Sequence, residues 1–262
     1  MGSATTQALA AAGDALRATA GVDLDVAGEL FVASRALGDS SQLSGALADP
    51  AASVELRAKV VAEVFGAASA TTRSLLTMLV GQRWSRAADL VEATEELAIR
   101  SAAIAAPDAD VEGELFRFSR TVAANPDLEL ALGSRLGDAA AKGDLVRTLL
   151  SGRASEATTL IASALVQQPR ERRVRRLLTW ATTLVADQRG RKVATVTTAT
   201  PLSDAQIDRL VASLSQRYET PVAVNTVVDP GVIGGVRVQI ADDVIDASVA
   251  SRLADLRQRL AG

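Results

Sequence analysis

Residues able to carry out chemistry are scarce in this chain. Its 262 residues include neither Cys nor His. That removes thiolate nucleophiles, histidine general bases, zinc fingers, nearly every transition-metal site and any disulfide. What remains is carboxylates, three lysines (Lys59, Lys142 and Lys192) and a single tyrosine, Tyr218, near the end of an expected helix. The lysines are scattered. Two acidic pairs, Glu95-Glu96 and Asp242-Asp243, occupy adjacent positions, which on a helix or turn point in different directions and are ordinarily solvated. Gly231-Val232-Ile233-Gly234-Gly235 invites a phosphate-loop reading, yet it lacks the GxGxxG spacing and the Walker Lys-Ser/Thr, and it precedes a strand instead of a helix amino terminus. Asp246 and Ser248 read as caps of a final helix, and Ser248 has no base to activate it. No catalytic, cofactor-binding or metal site is expected, and an Asp/Glu-dependent hydrolase has almost nothing to rest on.

Recognition surface is left. Residues 1–109 hold 13 acidic and 8 basic side chains, residues 110–192 hold 10 and 14, and residues 193–262 hold 8 and 6, so the middle of an otherwise acidic chain is basic. Much of that excess is Arg170, Arg172, Arg173, Arg175 and Arg176, just after Pro169. Such a cluster reads first as a solvated helix face and second as a contact for an acidic protein surface; nucleic acid comes last, because aromatic interleaving is absent and the chain's pI is about 5.2. A groove between Ala-lined helices could also receive a partner's amphipathic helix, with Leu9 and Leu16 on the first helix and Leu75, Leu76 and Leu79 on the fifth as its candidate borders. Each of these is a core residue by default, and the sequence does not separate the two roles. Trp84 and Trp180 fall at comparable places in two similar segments and read as packing anchors.

The elements that must position these residues are mostly helical. Hydrophobic residues make up 48% of the chain and aromatics only 3%, so the apolar content is chiefly Ala, Leu and Val, which favour close-packed helices. Leu9 and Leu16 mark one helix, Leu24, Phe31 and Leu37 a second, and Leu43 and Leu47 a short third stopped by Pro50. Ser53 opens a fourth helix ended by Gly66, residues 71–80 carry a fifth, and Ser85 opens a long sixth reaching about Ala103. Pro107 marks a linker. Beyond it the pattern restarts: Gly28-Glu29-Leu30-Phe31 recurs as Gly113-Glu114-Leu115-Phe116 at an offset of 85, and an offset of 86 aligns Ser69 with Ser155, Leu75 with Ile161 and Arg86 with Arg172. An internal duplication is expected.

From residue 193 the period changes to that of strands. Residues 193–199 are β-branched and extended, Ser203 with Gln206 opens a helix bearing Ile207, Leu210, Val211 and Leu214, and residues 222–228 and 235–240 read as strands joined in a hairpin across Asp229-Pro230-Gly231. A short strand at Val244-Ile245 and a terminal helix striped by Val249, Leu253, Leu256 and Leu260 complete a β-α-β-β-β-α order. The expected fold is therefore mostly α: a six-helix bundle over 1–106, a second, duplicated bundle over 107–192 and a small α/β domain over 193–262. No run of about 18 apolar residues is present to cross a bilayer, and Met1 to Thr6 lacks the pattern of a secretory leader.

The segment from Val228-Asp229-Pro230-Gly231 through Gly234-Gly235-Val236-Arg237 to Asp246-Ala247-Ser248 and Ser251-Arg252-Leu253 resembles the signature of the delta subunit of bacterial rotary ATP synthases, the counterpart of the mitochondrial oligomycin-sensitivity-conferring subunit. Thr197 to Ser203, Lys59 to Phe65 and Leu75 to Val80 resemble other parts of that family, so the likeness runs nearly the whole chain apart from an inserted second bundle, as in enlarged actinobacterial forms. Gly231 replaces the usual Ser, and Ala241 and Ala247 stand at positions where Gly is common; all three stay small.

The resemblance implies a non-catalytic stator subunit on the cytoplasmic face of the bacterial plasma membrane, peripheral and without nucleic acid or cofactor. Its amino-terminal bundle would grip the alpha subunits of the catalytic head. Its carboxy-terminal domain would bind the b (or b-prime) subunit of the peripheral stalk, with Asp229, Pro230, Gly234, Gly235, Asp246, Ser248, Leu253 and Leu256 as motif and docking residues. The competing reading is a duplicated helical adaptor unrelated to ATP synthesis.

Overall fold

The computed structural model describes residues 2–134, 137–170, 172–232, 234–240 and 243–246. The chain divides into two compact units, Met1–Val185 and Ala186–Gly262. Twelve helices and four strands lie among the described residues, a mostly helical architecture with a small mixed sheet toward the carboxyl end.

In the first unit the helices run α1 (Ser3–Ala18), α2 (Leu24–Asp39), α3 (Ser41–Ala48), α4 (Val54–Val64), α5 (Ala70–Gly81), α6 (Ala87–Ala105), α7 (Val111–Ala124), α8 (Pro126–Gly133), α9 (Ala139–Leu150), α10 (Glu156–Gln167) and α11 (Val174–Gln188), the last crossing into the second unit. Short polar side chains set their starts: Asp23 accepts from Val26 N–H, Ser53 from Leu56 N–H, Ser69 from Thr72 N–H and Ser155 from Thr158 N–H, each satisfying a donor that the first turn leaves without an intrahelical partner. Residues 106–110, where a linker is expected, form the tight turn between α6 and α7, and the helices on both sides share one continuous apolar core.

Helix α6 holds that core together. Leu90, Val91, Ala93, Leu97, Ala98, Ile99, Ala102 and Ala103 are all buried, and so are the polar Asp89, Thr94, Glu95 and Ser101, so burial runs around the whole helix instead of along one stripe. It packs on α1, α2, α3 and α5 and also on α10. Adding 85 to the span of α1 gives 88–103, inside α6, and α10 packs on α6 as α5 packs on α1. One helix thus closes the first repeat and opens the second.

The second unit carries β1 (Lys192–Thr198), α12 (Asp204–Tyr218), β2 (Val222–Val228), β3 (Val236–Ile240) and β4 (Asp243–Asp246). The strand order is β2-β1-β3-β4. β1 pairs parallel with β2 through the α12 crossover and antiparallel with β3, so β2 and β3 flank β1 and do not form the expected hairpin. The reason is burial: Ala194, Val196 and Thr198 of β1 are all buried, and the most deeply buried strand takes the centre. Residues 229–235 carry the chain across β1, a span of about 10 Å that seven residues cover easily. The real hairpin is β3 with β4, Ile240 opposite Asp243. A separate small core of Ala194, Val196, Leu214, Val222, Val238 and Ile240 forms here. The expected terminal helix with Val249, Leu253, Leu256 and Leu260 lies outside the described residues.

Candidate protein-docking site

The leucines expected to border a groove are mostly core. Leu16, Leu75, Leu76 and Leu79 are 0–2% exposed, and Leu9 is half-buried against the same core. The α1 residues Thr5, Ala8, Ala12 and Leu16 turn inward at helical spacing, which rotates Ala4, Gln7 and Ala11 toward the surface. A groove is nevertheless present between α1 and the end of α5. Ser3, Ala4, Gln7 and Ala11 form one wall, and Gly81, Gln82, Arg83, Trp84 and Ser85 with Pro50 form the other, enclosing about 750 Å³. Small side chains on α1 give it width, and they carry no apolar periodicity that the sequence could reveal. Trp84 lies along it, 7% exposed, its indole N–H donating to the Leu79 carbonyl at 2.9 Å. Thr5 fixes the mouth: its hydroxyl donates to Asp89 at 2.7 Å and accepts from Ser85 N–H at 3.1 Å, while Arg86 pairs with the same carboxylate at 2.8 Å.

At the equivalent place in the second repeat, ion pairs bridge α6 and the segment after α10. Gln7 corresponds to Glu92 on α6, and the end of α5 corresponds to the end of α10 with the segment that follows it. Here Arg170 pairs with Glu95, and Arg172 pairs with Glu95 at 2.9 Å and Glu92 at 3.3 Å while stacking over Trp180 at 4.8 Å. Glu95 is 3% exposed and would be costly to bury without these partners. Arg175 pairs with Glu129 at 2.9 Å. The expected basic cluster therefore splits: Arg170, Arg172 and Arg175 bind within the chain, while Arg173 and Arg176 are exposed with no partner among the described residues.

A pair of matched clamps accompanies the repeated sequence. Ser69 N–H (3.0 Å), Ser69 Oγ (2.7 Å) and Thr72 Oγ1 (2.5 Å) all donate to Glu29, tying α2 to the start of α5. Ser155 N–H (2.9 Å), Ser155 Oγ (2.6 Å) and Thr158 Oγ1 (2.5 Å) donate to Glu114 in the same way, tying α7 to α10. Burial opposes ionisation of both carboxylates, but the combined hydrogen bonds, with Arg73 or Arg117 nearby, outweigh it and hold each below the ordinary glutamate value. The sequence alignment paired Glu29 with Glu114 and Ser69 with Ser155 without showing that they touch, and Thr72 and Thr158 were not singled out.

In the second unit, Asp229 N–H donates to the Thr198 carbonyl at 2.8 Å and the Asp229 carboxylate accepts from Gly231 N–H at 2.9 Å, shaping the turn that exposes Pro230. Gly234 and Gly235 have φ of 66° and 79°, the left-handed region that a side chain resists. Asp246 ends β4 opposite Arg237. Ser248, Leu253 and Leu256 lie outside the described residues. Elsewhere Glu96 pairs with Arg100 at 2.8 Å and Tyr218 donates to Asp243. No cluster of Asp and Glu among the described residues is suited to a metal ion, and none of their helices is long and apolar enough to cross a membrane.

A groove, matched polar clamps and a shaped turn are features of a protein that works through its surfaces. Comparison with known proteins gives that class a family. The model of the ATP synthase delta (OSCP) subunit matches residues 98–260. The ATP synthase subunit delta of Leifsonia xyli is 48% identical over 264 residues, with 100% of both chains covered. Those of Streptomyces avermitilis (43%, covering 95% of this chain and 93% of that one) and Streptomyces griseus (42%, 100% of both) are also similar. The chain belongs to the ATP synthase delta (OSCP) subunit family, which sets aside an adaptor unrelated to ATP synthesis. The match starts within α6 and takes in the second repeat, so the copy expected to be an insertion is the one the family model covers.

Proposed function

We propose that this chain is a non-catalytic peripheral-stalk subunit of an F-type ATP synthase that uses the α1/α5 groove to hold an amino-terminal helix of an alpha subunit and the 193–262 region to hold the b subunit. Rotation of the central shaft applies torque to the catalytic head, and a stationary link must oppose it for the energy to reach the nucleotide sites. The observation that carries the reading is the open groove on a chain of this family: α1 presents small residues outward beside Trp84, a shape suited to the apolar face of a helix. The second repeat has its matching place bridged by the ion pairs of Arg170 and Arg172, which favours the first repeat for this role. Arg173 and Arg176 supply an auxiliary charged contact with an acidic surface of the stalk or head, one that governs encounter and salt dependence more than total affinity. Asp229, Pro230, Gly234, Gly235 and Asp246 shape the b-docking region.

Calorimetric titration tests the assignment. The chain is expected to bind an alpha amino-terminal peptide and a b carboxy-terminal peptide at separate, non-competing sites. Absence of heat with both peptides would reject it.

A further inference from the structure

The second wall of the α1/α5 groove is a strip of backbone, residues 81–85, that leaves α5 where the last carbonyls of the helix need donors. Two side chains supply them. Trp84 donates to the Leu79 carbonyl, and Arg57 of α4 donates through Nη1 to the Val80 carbonyl and to the Gln82 carbonyl at 3.3 Å. Arg57 is 5% exposed and is not among the residues lining the groove, so it reaches the wall without facing the space that the wall bounds. Its Nε is buried without a hydrogen-bond partner, and no carboxylate pairs with it among the described residues. Keeping a charge out of water on such terms is costly, and an apolar side chain would avoid the cost. What the guanidinium adds is geometry: a long, planar donor that spans two carbonyls, one inside α5 and one just past its end.

The second repeat shows the alternative. The offset of 85 that aligns Val61 with Val146 sets Lys142, likewise buried, in the place of Arg57. A lysine ends one bond short of a guanidinium's Nη, and this one donates to the Ser134 carbonyl beyond α8, not to the end of α10. The offset of 86 sets Gln168 in the place of Gln82. Gln168 donates to the Asp39 carboxylate at 2.8 Å, and Arg170, two residues on, pairs with Glu95 of α6. The strip after α10 is thus tied across to α2 and α6, whereas the strip after α5 is anchored to α4 where it begins.

We propose that Arg57 is the positioning residue of the α1/α5 groove: by holding the Val80 and Gln82 carbonyls to α4, it keeps residues 82–85, Trp84 included, at the separation from α1 that a partner helix requires. The occupancy of the groove by an alpha-subunit helix rests on the function proposed above. The clamp itself rests on its hydrogen bonds and on the contrast with Lys142.

The test is calorimetric titration of the full chain with the alpha amino-terminal peptide, run beside fluorescence of Trp84 in a Trp180→Phe background, where it is the sole indole. Arg57→Met removes the donor and leaves an apolar stem in the buried site. Arg57→Lys keeps the charge, loses the span, and serves where the first variant fails to fold. Val61→Ala is the control: it trims the core one turn along the same helix, at a side chain that makes no hydrogen bond to the strip. Both Arg57 variants are expected to bind the alpha peptide about tenfold or more weakly, to keep wild-type affinity for the b peptide, and to shift Trp84 emission to the red before any peptide is added. Val61→Ala is expected to match wild type in all three. A folded Arg57 variant with wild-type alpha affinity, an unmoved Trp84 emission, or an equal loss of affinity in Val61→Ala would each overturn the inference, the last by showing that affinity merely follows stability. If the wild-type chain binds no alpha peptide, the proposed occupant of the groove fails, and the Trp84 shift by itself decides whether Arg57 sets the wall.

Discussion

Glu29→Gln removes the charge from the clamp between α2 and α5 while keeping its shape. The carboxylate accepts from one backbone N–H and two hydroxyls at 2.5–3.0 Å, and hydrogen bonds to charged groups are worth about 1.5–3 kcal/mol apiece. Glutamine retains one acceptor oxygen, and the Ser69 and Thr72 hydroxyls can rotate to accept from its amide, so the net loss at pH 7 is expected to be about 2 kcal/mol. For a unit of this size that lowers the melting temperature by about 4–8 °C. The pH dependence has a definite sign. The folded-state value lies below the ordinary glutamate value, so the unfolded chain binds the extra proton and the clamp's contribution is complete above the unfolded pKa of about 4.3. It is lost as pH falls through the lowered folded value, where wild type and variant should converge. Glu114→Gln is expected to behave alike, and because both clamps hold one core, the double variant should still unfold in a single step. The assay is urea unfolding followed by circular dichroism from pH 7 to pH 3. A difference from wild type that does not shrink at low pH would refute the electrostatic argument, and two separate transitions in the double variant would refute the shared core.

Ala11→Asp, on the outward side of α1, is expected to abolish binding of the alpha peptide by calorimetry with unchanged helicity, whereas Leu79→Asp should unfold the bundle because it buries a charge at a cost of several kcal/mol. Reversing Arg173 and Arg176 to Glu should weaken assembly mainly at low salt and leave the melting temperature within about 1 °C, while Arg172→Ala should lower it by leaving Glu95 short of a buried partner. Gly235→Val, at a φ of 79°, is expected to destabilise the second unit by about 1–2 kcal/mol by denaturant titration. Truncation before Asp246 should abolish binding of the b peptide with partial unfolding of the 193–262 region, while the alpha peptide still binds; separate titrations of the shortened chain check both halves.

Helix positions and the duplication were legible because Leu periodicity, caps such as Ser53 and the repeated Gly-Glu-Leu-Phe act locally or by alignment. Which side of a helix faces a neighbour was not. Leu16 and Leu79 carry the same spacing whether they fill a core or border a groove, and Ala4 and Ala11, which actually line it, look like any other alanines in an Ala-rich helix. The arginines after Pro169 read as one cluster, since nothing in the sequence announces that Glu92 and Glu95, some 80 residues earlier, would take two of them. Strand pairing failed for a related reason: a turn sequence such as Asp229-Pro230-Gly231 signals a reversal, but whether the next strand joins its predecessor or crosses to the far side of β1 depends on which strand is buried most deeply.

The sharing of α6 has a mechanical consequence. Tandem domains joined by a linker can pivot about it, and a pull on one is partly spent in bending the joint. Here the joint is a nineteen-residue helix packed on helices of both repeats, so no hinge separates them, and strain entering at α1 to α5 passes into α7 to α11 as shear across packed side chains. Lengthening the chain in this way adds reach without adding a compliant element. The same arithmetic of overlap, five new helices for each added copy, would let a longer member grow without losing stiffness.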